Sequence, residues 1–259
     1  MIYFALMQIG PWWVQPYTLR VTLGVALGMA LLWRRGTRPG SDIPTQELLA
    51  WVWVIGFAAW ACGRLGYVIG QPYFAQQPWG ILRFRTAAGL HGSSALAGGV
   101  LMVAVWAGIK SRRFSDLLAL WTPTALGIAM CAWWGCREVG CAWGNPATAN
   151  SFWRSWLGVS APDLYHIRLV RYPVQTLGAA WALVLLLLAL GLKEKGGLAL
   201  ALYCVGSAML TLQRGDPVPL FNEVRVDMLL DITLAAMIAG GTLFPVSLRT
   251  KDNHGSTNH

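Results

Sequence analysis

A chain of 259 residues that is 56% hydrophobic and only 12% charged has too little polar surface for a water-soluble globule. Its 5 cysteines are too sparse for a disulfide-stapled scaffold, and the apolar content excludes a disordered or collagen-like chain. The formal charge of +9 comes from short basic clusters between apolar runs, not from one stripe, so it reads as membrane topology and no nucleic-acid partner is expected.

A helix needs about 20 mostly apolar residues to cross a bilayer core. Such runs fall at roughly 17–34, 46–69, 93–109, 117–136, 174–192, 197–213 and 227–247. The predicted fold is therefore all-α: a polytopic membrane helix bundle of about seven transmembrane helices, forming a single membrane domain over residues 1–249. The runs 93–109 and 197–213 are short and Gly-rich, as tilted or buried helices are.

With the N-terminus outside, Arg34, Arg35, Arg38, Lys110, Arg112, Arg113, Lys193, Lys195, Arg249 and Lys251 all fall on the cytoplasmic side, as the positive-inside rule asks. The outer loops then hold Arg83, Arg85, Arg137, Arg154, Arg168, Arg171, Arg214 and Arg225, arginines without a single lysine. Guanidinium forks bind phosphate and carboxylate bidentately, so this set suggests recognition of anionic groups, the alternative being arginines that snorkel to lipid head groups. No cleavable signal peptide is evident, and the first helix is expected to stay. Trp12, Trp13, Trp79, Trp153 and Trp156 stand near helix ends, as an interfacial aromatic belt does. The connection at about 137–173, with Pro146, Pro162 and Pro173, predicts a small extracytoplasmic head, and residues 250–259 a disordered cytoplasmic tail.

Arg64 lies inside the second run, where a cation is costly unless it faces a partner, a phosphate or water; the alternative is an arginine snorkelling from the helix end, which is the better account of Arg20. His91, between Gly89 and Gly92, offers a general base for a thiol or hydroxyl, against the reading of a satisfied structural histidine. Ser93 and Ser94 beside it lack the Gly-x-Ser-x-Gly elbow of a nucleophile.

Cys131, Cys136 and Cys141 are spaced five and five, which turns a helix by about 500° and leaves successive sulfurs about 140° apart. No metal clamp follows. Packing as small hydrophobes is the expected role, and a Cys136–Cys141 disulfide is open only if the chain unwinds after Gly135. Asp227 and Asp231 share a helix face, fit for an ion pair with Arg225 or another helix's arginine, or for a proton relay.

Taken in order, Ile9-Gly10-Pro11 with Tyr17, then Gly63-Arg64-Leu65-Gly66-Tyr67-Val68, Leu90-His91-Gly92 and Arg171-Tyr172-Pro173-Val174-Gln175 resemble the motifs of the phosphatidylglycerol–prolipoprotein diacylglyceryl transferase family. The resemblance covers most of the chain. It implies a bacterial inner-membrane enzyme that moves a diacylglyceryl group from phosphatidylglycerol, or another anionic phospholipid, to the lipobox cysteine of a prolipoprotein signal peptide, without cofactor or metal. His91 would then help deprotonate the thiol, Arg64, Arg137 and Arg214 would stabilise the leaving phosphate, and Tyr17, Tyr67, Gly92, Arg171 and Gln175 would line the substrate site.

Two stretches depart from that pattern. Trp133 and Cys136 stand where the family signature has an arginine and an asparagine, and Ser207 and Thr211 where its sixth helix has an arginine and a glutamate. Arg137 and Arg214 lie one and two helical turns beyond the replaced arginines, so the phosphate site is expected to have moved onto them. The competing expectation is a relative that binds an anionic lipid or lipopeptide without transferring anything.

Overall fold

The computed structural model describes residues 7–9, 12–39, 42–71, 89–147, 157–163, 167–192 and 196–243. Trp79, Trp153, Trp156, Arg83, Arg85, Arg154, Lys193, Lys195, the 250–259 tail and the side chains of Trp12 and Trp13 lie outside the described residues.

Helices α1 (Pro16–Gly36), α2 (Thr45–Ile69), α3 (Gly92–Ile109), α4 (Phe114–Val139), α5 (Val174–Gly191), α6 (Gly196–Thr211) and α7 (Val226–Leu243) coincide with the seven apolar runs. Among the described residues six helices are long and apolar enough to cross a membrane, and α6, with 16 residues, is a shorter apolar one. Among the described residues three antiparallel strand pairs accompany them: β1 (Met7–Ile9) with β2 (Trp12–Val14) before α1, β3 (Val159–Pro162) with β4 (Arg168–Arg171) between α4 and α5, and β5 (Leu220–Phe221) with β6 (Val224–Arg225) between α6 and α7.

Helices in hydrocarbon gain nothing from expelling water, so close backbone approach at small residues drives their packing. On α1, a Cβ at Gly24 would sit 2.8 Å from Cys131 Cβ and one at Gly28 2.8 Å from Thr124 Cγ2, so α1 lies flat on α4. Thr124 Oγ1 donates across this seam to the Gly28 carbonyl at 2.9 Å. The α2–α3 pair is built alike. A Cβ at Gly63 would meet Ala95 Cβ at 2.9 Å, and one at Gly98 the Ala58 carbonyl at 2.6 Å.

Away from these seams large side chains fill the centre, among them Leu32, Leu117, Leu126, Leu185, Leu234 and Ile238. Trp106, wholly buried, stacks on Trp51 with ring centroids 5.3 Å apart and donates its indole N–H to Glu47 Oε1 at 2.8 Å, which satisfies a polar group that burial would otherwise penalise.

At one end of the bundle the chain between α4 and α5 pairs with the chain after α6. Asn145 N–H donates to Gln213 O at 2.7 Å, Gly215 N–H to Trp143 O at 2.8 Å, and a further bridge joins Pro146 to Arg171 of β4. This end carries the C-terminus of α4 and the N-terminus of α5.

The structure pairs two cysteines that were expected to pack as small hydrophobes. Helix α4 does not unwind after Gly135 but runs to Val139, and Gly140, at φ 72°, then turns the chain back in the left-handed conformation a glycine adopts freely. Cys141 N–H bonds to the Cys136 carbonyl at 3.0 Å, and the two cysteines form a disulfide across that turn. The helical angle between their sulfurs does not apply, because Cys141 is no longer in the helix.

Candidate active site

His91 is placed by its neighbours' small size. Its backbone N–H donates to the Gly63 carbonyl at 2.9 Å, and a Cβ at Gly66 would come within 3.3 Å of His91 Cβ, so the Gly63–Gly66 face of α2 brings the N-terminus of α3 against Arg64 and Tyr67. The Arg64 guanidinium, buried, donates to the Gly89 carbonyl at 3.2 Å and lies 5.6 Å from the Tyr67 ring centre. Tyr67 covers Gly89, where any side chain would strike the phenol ring.

The imidazole caps its own helix. Ser94 N–H donates to His91 Nδ1 at 3.3 Å, and Ser94 Oγ lies 2.8 Å from the same nitrogen. Because Nδ1 accepts, the neutral ring carries its proton on Nε2, which is left to donate. Burial pushes the imidazole below its ordinary pKa, with Asp227 and Asp216 pulling the other way. The ring is therefore neutral near pH 7.

A second group carries charges that act on His91. Arg214, after α6, donates through Nε to Asp216 Oδ1 at 2.8 Å and through Nη1 to Asp227 Oδ2 at 3.0 Å. Arg225, on β6, grips Asp227 with Nε and Nη2, both at 3.2 Å, and the Asp216 carbonyl with Nη1 at 3.1 Å. Asp227, 1% exposed, also accepts the Met228 N–H at 3.0 Å. Burial tends to lower the Arg214 pKa, but the hydrogen bonds and charge of Asp216, with the charge of Asp227, raise it above the ordinary value. Arg214, Arg225, Asp216 and Asp227 are also the charges that act on His91. One turn deeper on α7, Asp231 is 1% exposed.

The sequence pattern of the prolipoprotein diacylglyceryl transferase family matches residues 5–244. The chain belongs to this family. It is thus a multi-pass membrane protein of a transferase family of lipoprotein biosynthesis. A phosphatidylglycerol–prolipoprotein diacylglyceryl transferase of Sodalis glossinidius (strain morsitans) is 28% identical over 127 residues, a match that spans 46% of this chain and 43% of that protein.

The residues expected to line the transferase site separate into three sets. Arg64, Tyr67, His91 and Gly92 lie together at the α2–α3 junction, and Arg214 stands in the ion-pair cluster with Asp216, Asp227 and Arg225. Gly92 is exposed, with nothing within 4 Å of where its Cβ would be.

Arg137 stands apart: it is exposed, and its guanidinium lies 5.8 Å from the Trp134 ring on the same helix. Its one-turn displacement turns it to the surface. Trp133, one turn earlier on α4, is buried, pressed against Gly178 and donating its indole N–H to Tyr203 Oη at 3.1 Å.

Tyr17, Arg171 and Gln175 hold the scaffold. Tyr17 packs on Gly135, with Cδ2 3.0 Å from where a Cβ would stand. Arg171, buried, pairs with Asp163 at 2.9 Å and donates to the Gly144 carbonyl at 3.3 Å. Gln175 donates to the Cys141 carbonyl at 2.9 Å, which ties α5 to the disulfide turn.

Sequence reasoning missed Asp216. Its signal was local: a carboxylate two residues after Arg214 and just before Pro217, where the chain must bend.

Proposed function

We propose that this protein transfers a diacylglyceryl group from a phospholipid, phosphatidylglycerol in the first instance, to the lipobox cysteine of a prolipoprotein. The observation that carries this reading is the meeting of the His91 imidazole and Arg64 at the α2–α3 junction, within electrostatic range of the Arg214–Asp227 cluster, in a membrane bundle of this family. That end faces the extracytoplasmic side of the bacterial inner membrane, with the N-terminus outside and the C-terminus cytoplasmic. Prolipoprotein signal peptide and lipid both enter from the bilayer.

In the reaction the acceptor sulfur bonds to the glyceride carbon that bears the phosphate. The bond from that carbon to the phosphate oxygen breaks, and glycerol phosphate leaves with the electron pair. The thiol proton passes to water or to the leaving phosphate. His91 Nδ1 is occupied by its cap, so the ring serves the leaving group as an Nε2–H donor, beside Arg64, in place of the base role expected from sequence. Arg214 supports this end through Asp227.

Trp133 and Ser207 in place of family arginines favour a second reading, a relative that holds lipid without transferring it. One experiment separates the two. Purified protein is incubated with phosphatidylglycerol vesicles and a lipobox peptide, and the peptide is weighed for the diacylglyceryl increment, with His91→Ala as control. The increment in wild type alone supports transfer. Lipid retention without it establishes the binder.

A further inference from the structure

The reaction above makes no use of Arg171 or Gln175, two residues expected to line the substrate site. Both hold one short stretch of backbone. Arg171, 4% exposed, donates through Nη1 to the Gly144 carbonyl at 3.3 Å and through Nη2 to Asp163 Oδ2 at 2.9 Å. Asp163 is itself held by the Ile167 N–H at 3.0 Å, which fixes the guanidinium in turn. Gln175 Nε2 donates to the Cys141 carbonyl at 2.9 Å, and Tyr172 N–H to the Asn145 carbonyl at 3.2 Å. The approach requires glycine, because a Cβ at Gly144 would strike the Tyr172 carbonyl.

The same stretch carries Arg214 on its other edge. Gly144 and Arg214 form an antiparallel bridge, flanked by Asn145 N–H to Gln213 O at 2.7 Å and Gly215 N–H to Trp143 O at 2.8 Å. Arg214 lies beyond the end of α6 at Thr211, so these cross-links, more than the helix ladder, set its direction. Gly215 suits the contact, since a Cβ there would stand 2.9 Å from Asn145 Oδ1. The carbonyl that Arg171 grips and the N–H that Gln213 accepts belong to one peptide group, Gly144–Asn145. That group is planar, so fixing its oxygen aims its N–H, and a bond at one end polarises the other. From the backbone so held, the Arg214 side chain reaches Asp216 and Asp227.

We infer that Arg171 is a positioning residue for Arg214, acting through the Gly144–Asn145 peptide, with Gln175 anchoring the same stretch at Cys141. The inference rests on the transferase reading, in which Arg214 supports the leaving-group end of the site, and it gives the Arg171–Gln175 run a part in the reaction without contact to substrate. With its charge matched by Asp163 and its fork turned to a backbone carbonyl, Arg171 is suited to orient a peptide group, not to take up a phosphate.

The full-length protein is compared with Arg171→Lys, which keeps a charge beside Asp163 but loses the fork that reaches two acceptors, and with Gln175→Ala. Thioether formation on a lipobox peptide with phosphatidylglycerol gives kcat and KM, in the wild-type background and with Arg214→Lys. Each variant is expected to lower kcat by about tenfold with both KM values unchanged, part of the ~100-fold that a 1 Å misplacement can cost, and to add nothing when Arg214→Lys is present. A raised KM with unchanged kcat would put these side chains at the substrate, and an equal loss in both backgrounds would leave them a general structural role; either result overturns the inference. Hydrogen exchange reads the same placement without activity. The Gly215 amide should exchange about tenfold faster in both variants, the order of one weakened hydrogen bond, while amides of α1 keep their wild-type rates. Unchanged exchange at Gly215, or a uniform rise through the bundle, again overturns the assignment. A wild type that forms no thioether but shows the Gly215 response in its variants removes the transferase and keeps the placement of Arg214. Transfer by wild type with no Gly215 response removes the positioning role and leaves the transferase.

Discussion

Arg35 donates through Nη1 to the carbonyl oxygen of Ala119 at 3.2 Å, the carbonyl that Pro123, four residues on, leaves without a helical N–H. Its Nη2 reaches Ala189 O at 2.7 Å and Leu190 O at 3.2 Å, near the C-terminus of α5. One side chain of α1 thus satisfies three carbonyls on two other helices. Arg35→Ala is expected to lower stability by about 2 kcal/mol, the effect of charge-assisted bonds lost from partly buried acceptors. Arg35→Lys should recover only part of this, since one ammonium cannot span three acceptors. Thermal unfolding of the three proteins in one detergent checks the order.

The Arg214–Asp227 pair is tested by a double-mutant cycle. Asp227 is 1% exposed, so Arg214→Ala leaves a buried carboxylate with Arg225 as its remaining guanidinium partner, for an expected loss of about 3 kcal/mol. Arg214→Ala with Asp227→Asn should cost less than the sum of the single changes. Additive losses would show that the two side chains do not act together.

His91 sets a pH dependence of known sign. Burial lowers its folded pKa from the ordinary 6.5, so the unfolded chain takes up a proton before the folded one does. The stability it contributes is complete above pH 6.5 and is lost as pH falls through the lowered folded value. His91→Asn keeps a capping side chain but no titration, so its melting temperature between pH 7 and pH 5 should fall less than that of wild type. Parallel curves would contradict this.

Reduction of the Cys136–Cys141 disulfide, or Cys136→Ser with Cys141→Ser, is expected to cost about 2 kcal/mol, the chain-entropy figure for so short a loop. Gln175 holds the Cys141 carbonyl, so the loss should also free the start of α5. Hydrogen exchange at Val174–Gly178 reports it: faster exchange on reduction is expected, and unchanged exchange would show that Gln175 holds the turn alone.

The helices were legible because an apolar run long enough for a bilayer is a strong signal, and even the short α6 kept its place. The hairpins were not. Strands of two to four residues, such as β5 and β6, have no period to read. Within the site, the Gly-Arg-Leu-Gly-Tyr run pointed to Arg64 and to the glycines that seat His91. The ion-pair cluster was less visible, because Asp216 and Arg225 meet Asp227 only after the β5–β6 turn folds back. Arg137 shows the limit of helical-face arithmetic: a residue one turn along shares a face near the helix centre, but at the end of α4 it reaches the surface.

That β5–β6 turn carries the last prediction. Asn222 and Glu223 occupy its tip with φ 48° and 66°, the paired left-handed conformations of a type I′ hairpin, where Asn-Gly is the favoured sequence. A glutamate in this region costs about 1–2 kcal/mol against glycine, offset in part by glycine's greater unfolded entropy. Glu223→Gly should therefore stabilise the protein by about 0.5–1 kcal/mol, and Glu223→Val, β-branched and unsuited to positive φ, should destabilise it. The hairpin sets Arg225 opposite Leu220 and so delivers it to Asp227. The Val variant should thus also weaken the coupling between Arg225 and Asp227 in a double-mutant cycle, while the Gly variant preserves it. A loss of coupling in the Gly variant would mean that the Glu223 side chain, and not the backbone turn, positions Arg225.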